Sequence, residues 1–228
     1  MDTVSFSIKK ALTFGWVMVK EKFLFLLSLL VISFVFAVIP DVAKKLTDNS
    51  AVILLTQIVA AILNFIVDAG LIYVMLRLYD GKDTKIEDLF SQYPITFRYF
   101  VAVALYGVTA FIGMILLVVP GVYFMLRFQF YRYFLVDKKM GIMESFRASS
   151  KITDGQKWQL FRFALAIFGV NLLGLIVLGV GLIVTIPLSS LATAYVYRKL
   201  SSPVAEPAEL VRDTPIIMDP ISRGVEMN

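Results

Sequence analysis

The sequence predicts an all-α, polytopic membrane helix bundle, and three observations predict it. Hydrophobic residues make up 59% of the 228 positions and charged residues only 17%, with a mean hydropathy of +0.81, outside the balance of a soluble domain. Apolar runs approaching the length of a bilayer crossing, about 20 residues, recur along the chain and leave room for about six. The basic residues gather beside alternate connections and are scarce on the others.

Each element follows in order. Residues 4–20, VSFSIKKALTFGWVMVK, put Val4, Ile8, Ala11, Leu12 and Trp16 near one helical face and most lysines elsewhere, the pattern of an interfacial helix. Phe23 to Ile39 is a first crossing of near-minimal length, closed by Pro40-Asp41. Residues 51–78 form a second apolar segment containing Gln57, Asn64 and Asp68, ended by the turn residues of Tyr79-Asp-Gly-Lys82. Residues 97–119 form a third, and Pro120-Gly121 is the turn before a fourth over residues 122–136. A second interfacial helix is predicted over residues 142–153, with Ile142, Phe146 and Ser149 on one face. Residues 158–178 and 181–197 make the last pair around Gly179-Val-Gly181. These elements make residues 1–200 one transmembrane domain; residues 201–228 carry four prolines, show no periodicity and are expected to be a disordered cytoplasmic tail.

The positive charges orient the bundle. Of 22 Lys and Arg, 17 fall in segments placed on one side, whereas the longest opposite loop holds only Lys44 and Lys45. That asymmetry predicts a multi-pass protein of the bacterial inner membrane with both termini cytoplasmic, its cations facing anionic headgroups. The net charge of +5 reads as a membrane-facing surface, since the cations flank apolar segments and form no polar domain for nucleic acid. The chain has no histidine and no cysteine, which removes imidazole acid-base chemistry, thiolate nucleophiles and the commonest zinc and haem ligands. No cofactor, metal motif or phosphate-cradling loop is predicted.

Faint repetition runs through the chain. Tyr73-Val-Met-Leu-Arg-Leu78 matches Tyr123-Phe-Met-Leu-Arg-Phe128, and Ser5-Phe6, Thr13, Gly15 and Phe23 reappear 140 positions later as Ser145-Phe146, Thr153, Gly155 and Phe163. The simplest reading is three units, each an amphipathic approach followed by a helical hairpin. The run VVPGVYFMLRFQFYRYFLVD, the polar segment MESFRASSKITDGQKWQLFRF with its Gly155-Gln-Lys-Trp158, and the closing AYVYRKL are similar to a group of bacterial inner-membrane proteins. The stretch resembles the membrane domain fused to some glycerophosphodiester phosphodiesterases and its free-standing relatives. That resemblance, clearest over about residues 116–200, implies a fold and a membrane but no activity. The fused hydrolase would need histidines this chain lacks.

Two arginines in the fourth apolar run demand an explanation, because a cation at the bilayer centre costs between about 2.5 and 17 kcal/mol. Arg132 lies four residues before Val136 and reads as an interfacial anchor, as do Arg77, Trp16 and Trp158. Arg127, along an unbroken helix, would sit about 13 Å deep, and Asp68 at a similar depth in the second crossing. Asp68 and Arg127 are therefore the candidate intramembrane pair, with Asn64, Gln129 and Asn171 as supporting polar residues.

The functional expectation is a non-enzymatic membrane protein working through contacts with anionic lipid, a membrane-protein partner or a second copy of itself. The alternative is a small-solute, lipid or ion transporter with a polar site at the midplane, for which repeats and interrupted helices are the expected ingredients.

Overall fold

The computed structural model describes residues 6–116, 118–177 and 179–202, so residues 203–228 of the predicted tail and Val4 and Ser5 of the first interfacial helix lie outside the described residues, whereas Ser201, placed in the tail, ends the last helix. Every regular element among them is helical: α1 (Ile8–Glu21), α2 (Phe23–Leu46), α3 (Ser50–Tyr79), two 3-10 segments (Ile86–Phe90 and Tyr93–Ile95), α4 (Thr96–Leu116), α5 (Val118–Phe128), α6 (Tyr131–Asp137), α7 (Ile142–Thr153), α8 (Lys157–Ile176) and α9 (Leu182–Ser201). Local chemistry sets several of the boundaries. Ser7 caps α1 by accepting from the Lys10 amide, and Asn49 caps α3 by accepting from the amides of Ala51 and Val52. The Glu144 carboxylate reaches back to the amide of Gly141 at the start of α7. Between α7 and α8, Gly155 has φ +74°, a left-handed conformation that explains the glycine of the Gly-x-x-Trp signature.

Pro40 does not end the first long helix; α2 continues to Leu46. A proline lacks the N–H that would bond the carbonyl four residues back, which here belongs to Phe36. Asn64 of α3 supplies a replacement, donating Nδ2 to the Phe36 carbonyl at 3.5 Å and to the Ala60 carbonyl at 2.9 Å. The helix passes its proline because the neighbouring helix replaces the lost bond.

The predicted fourth crossing, residues 122–136, is not one helix. It breaks at Gln129-Phe130 into α5, of 11 residues, and α6, of 7. Neither piece alone reaches the roughly 20 residues of a crossing. Among the described residues, four helical segments are long and apolar enough to cross a membrane: Phe23–Leu46, Ser50–Tyr79, Ile86–Ile115 and Lys157–Ile176. Helix α9 has 20 residues but is largely buried in the bundle.

Three hairpins organise the chain: α2 with α3, α4 with α5, and α8 with α9. An amphipathic segment precedes each, respectively α1, the 3-10 pair and α7. Each of these collar segments packs on the second arm of the preceding hairpin. The first 3-10 segment lies on α3, α7 lies on α5 and α6, and α1 closes the circle by packing on α9. The contacts are tight: a Cβ on Gly70 would stand 1.8 Å from the Leu89 carbonyl oxygen, and one on Gly15 would stand 2.6 Å from that of Leu188. Inside the collar, α3, α6 and α9 meet around an aromatic centre where Phe130, Tyr133 and Phe134 surround Tyr197 at ring distances of 5.1–6.1 Å.

Burial follows this plan. The core draws on Val67 to Leu78 of α3, Phe130 to Val136, and Leu188 to Leu200 of α9. Large apolar side chains of α2, the first half of α3, α4 and α8 stay exposed, among them Phe34, Leu55, Phe111, Phe168 and Ile176. So extensive an apolar surface belongs against lipid, and the chain is a membrane protein built as an all-α bundle.

Candidate functional site: a polar axis inside the ring

The structure brings Asp68 to Arg132, not to Arg127. Arg132 donates Nη1 to Asp68 Oδ2 at 2.9 Å, and the Tyr99 hydroxyl donates to the same oxygen. The three residues come from α6, α3 and α4. Tyr99 is fully buried, whereas the Asp68 and Arg132 side chains keep 44% and 41% exposure, so the pair is only partly enclosed. Arg132 is thus an internal counter-ion to Asp68 where the sequence suggested a headgroup anchor.

Arg127 is displaced because the helix carrying it breaks. Its Nε donates to Ser150 Oγ of α7 at 2.7 Å. The break frees backbone groups, and α7 satisfies them with a ladder of hydroxyls. Ser149 Oγ accepts from the Phe130 amide at 3.1 Å and donates to the Arg127 carbonyl at 3.1 Å, and Thr153 Oγ1 donates to that carbonyl at 3.0 Å. Ser145, Ser149 and Thr153 are fully buried, together with Phe146 and Ile152, on the inner stripe of an amphipathic helix. Non-helical backbone in an apolar bundle requires such substitutes.

The supporting residues disperse. Asn64 bridges α2 and α3, and Asn171 bridges α8 and α9 by donating to Ser189 Oγ at 2.9 Å, so each amide pins its own hairpin. Gln129 donates to the Leu126 carbonyl at 3.1 Å at the end of α5. None of the three has a hydrogen bond to Asp68 among the described residues. Arg77 donates to the Tyr73 hydroxyl of its own helix and to the Asp83 carbonyl in the exposed loop that follows. Trp16 and Trp158 do face outward, 46% and 68% exposed, with Lys20 over the Trp16 ring.

A second polar node was not singled out from the sequence. Arg198 of α9 donates Nη2 to Asp80 at 2.7 Å and Nη1 to Asp137 at 2.8 Å, while the Tyr197 hydroxyl donates to Asp137 at 2.9 Å. Asp80 follows α3 and Asp137 ends α6, so one guanidinium ties the ends of all three central helices. Burial opposes the cation, but Asp137 and then Asp80 outweigh it and the Arg198 pKa is raised. In the sequence Arg198 looks like one more flanking cation; the available signal was the pair of acidic residues, Asp80 and Asp137, at the ends of two apolar helices, although Lys82 two positions on also lies 3.9 Å from Asp80.

Outside the axis, a basic cleft of about 370 Å³ lies between α5 and α7, lined by Arg127, Phe128, Phe146, Arg147, Lys151 and Asp154 among others. Among the described residues no cluster of three carboxylate, imidazole or thiol groups could hold a metal ion.

Residues 101–203 match the family described as "Protein of unknown function (DUF975)". The chain is similar to the uncharacterised protein Rv2560 of Mycobacterium tuberculosis, 31% identical over 147 residues, which covers 64% of this chain and 44% of the relative. It is also similar to the uncharacterised Mb2590 of Mycobacterium bovis, 30% identical over the same shares. The chain therefore spans less than half the length of the curated relatives it matches. No solved structure matches it. The matched family region runs from α4 through α9, taking in the broken helix, the hydroxyl ladder and Arg198.

Proposed function

We propose that the chain is a non-enzymatic, multi-pass protein of the bacterial inner membrane that works through lipid or protein contacts made by its cytoplasmic collar. The observation that carries this reading is the ring itself. Three amphipathic segments, bearing Lys9, Lys10, Lys85, Arg147 and Lys151 on exposed positions, surround a core whose polar groups largely satisfy one another. A basic, partly aromatic collar at the level of the headgroups suits association with anionic lipid. Three hairpins then give six crossings, with α5 and α6 sharing one, and leave both ends of the described chain on the cytoplasmic side. The resemblance to membrane domains fused to phosphodiesterases is in keeping with a contact-making module, and the absence of histidine and cysteine favours a role without catalysis.

A transporter is the second reading, favoured by one observation: the Asp68–Arg132 pair remains accessible beside an interrupted helix. Flux separates the two. Proteoliposomes holding the purified chain should take up ions and small solutes no faster than empty vesicles, and the chain should partition toward vesicles containing anionic lipid. Uptake that is abolished by Asp68→Asn would replace the contact reading with the transporter. Reporter fusions placed after residue 48 and after residue 139 should fall on opposite sides of the membrane; the same side for both would overturn the topology.

A further inference from the structure

We infer that the cleft between α5 and α7 binds the phosphate of an anionic phospholipid in the cytoplasmic leaflet. The inference rests on the contact reading above and gives that reading a site.

The cleft brings three cations, Arg127, Arg147 and Lys151, against one carboxylate, Asp154. That carboxylate is already engaged: Lys157 donates to it at 3.0 Å and holds its pKa below the usual range. Arg147 and Lys151 stand four residues apart on the exposed face of α7, so they project side by side. Arg127 is oriented from behind, because its Nε is committed to Ser150 Oγ at 2.7 Å. Its Nη1 and Nη2 have no hydrogen-bond partner among the described residues. A guanidinium fixed through Nε presents its two terminal nitrogens as a fork, the geometry that phosphate oxygens accept.

The rest of the lining is apolar and chooses the source of the phosphate. Phe128 and Phe146 pack edge to face at 5.3 Å to make the floor, and Met143 stands 60% exposed at the rim. Tyr123 and Lys157, joined at 3.0 Å, tie the middle of α5 to the start of α8. An inorganic phosphate or soluble phosphate ester would gain nothing from this surface, whereas the glycerol backbone and first methylenes of a phospholipid would lie along it. The break after Phe128 is what makes the site: it lets Arg127 meet α7 instead of continuing along one straight helix.

The test uses the full chain in nanodiscs of phosphatidylcholine doped with spin-labelled phosphatidylglycerol or spin-labelled phosphatidylcholine. The wild type should immobilise the anionic probe in preference to the neutral one. Arg147→Gln with Lys151→Gln, both at exposed positions, should lower that preference about fivefold or more relative to a variant of equal charge outside the cleft, Lys138→Gln with Lys139→Gln. Millimolar inorganic phosphate at constant ionic strength should leave the probe in place. If both double variants lose the preference equally, binding is diffuse and the cleft assignment falls while the contact reading stands. If phosphate displaces the probe, the occupant is a free anion and the lipid assignment falls. A wild type with no preference for the anionic probe overturns the contact reading itself.

Discussion

Asp68 and Arg132 meet at 2.9 Å across 64 positions of sequence, joining α3 to α6 at the point where Tyr99 of α4 also arrives. Three helices from two hairpins converge on one carboxylate oxygen. Because both charged side chains remain two-fifths exposed, the pair is worth on the order of 1–3 kcal/mol, less than a fully enclosed one. Asp68→Asn and Arg132→Gln should each lower the melting temperature in detergent, and the double variant should lose less than the sum, with a coupling of about 0.5–3 kcal/mol. Asp68→Asn with Arg127→Gln should be additive within about 0.5 kcal/mol. Coupling to Arg127 in place of Arg132 would show that the helix is continuous through Gln129.

The Arg198 clasp should be the more costly to break. Its guanidinium, Asp80 and Asp137 are 19%, 24% and 13% exposed, and removing the cation leaves two carboxylates facing each other. Arg198→Gln should cost about 3 kcal/mol or more. Arg198→Lys should recover only part of the loss, since one ammonium cannot reproduce two forked contacts to separate carboxylates. Thermal unfolding in detergent reads both, and a glutamine variant as stable as wild type would remove the clasp from the account of the fold.

The hydroxyl ladder gives a prediction about backbone. Ser149→Ala should leave the Phe130 amide without its acceptor in a buried place, a loss of about 1–3 kcal/mol. The Arg127 carbonyl keeps Thr153, so adding Thr153→Val should deepen the effect beyond either single change. Ser190→Ala, which removes only a bond from an exposed hydroxyl to the Ile186 carbonyl of its own helix, should be nearly silent. Comparable losses at Ser149 and Ser190 would count against the ladder.

Gly70→Ala tests the collar. The added methyl meets backbone atoms of Leu89 that cannot swing aside, so the 3-10 segment should lift from α3 and residues 82–95 should become sensitive to protease. Gly107→Ala, on an open face of α4 with nothing within 4 Å, should leave the digestion pattern unchanged. If the two variants are digested alike, the segment is not seated on α3 as described.

Much of this architecture was legible in the chain, for reasons that particular residues make clear. Length and hydropathy suffice for α2, α3, α4 and α8, and the amphipathic period of α7 places Phe146 and Ser149 on its inner stripe as expected. The three-unit layout was legible too, in the recurrence of Tyr73–Leu78 of α3 as Tyr123–Phe128 of α5 and in that of Thr13 and Gly15 as Thr153 and Gly155. What stayed hidden was tertiary. The break at Gln129-Phe130 has no glycine or proline to announce it; it exists because Ser149 and Thr153 of another helix stabilise the freed groups. Depth counted along a straight helix therefore paired Asp68 with Arg127. The continuation of α2 past Pro40 depends in the same way on Asn64. Arg198 was hidden because a cation near a membrane edge has the same local signature whether it faces headgroups or two carboxylates.

The order in which the ring is assembled carries a cost during synthesis. The seat of α1 includes Leu188, so α1 rests on a helix synthesised well after it. Until α9 has been inserted, Gly15 lacks its seat on Leu188, and the stripe of Ala11, Gly15 and Val19 must find shelter in the lipid surface or under a chaperone. Chains stalled before residue 188 should therefore be open arcs, vulnerable to quality-control proteases around α1, and the ring should close only once α9 is in place.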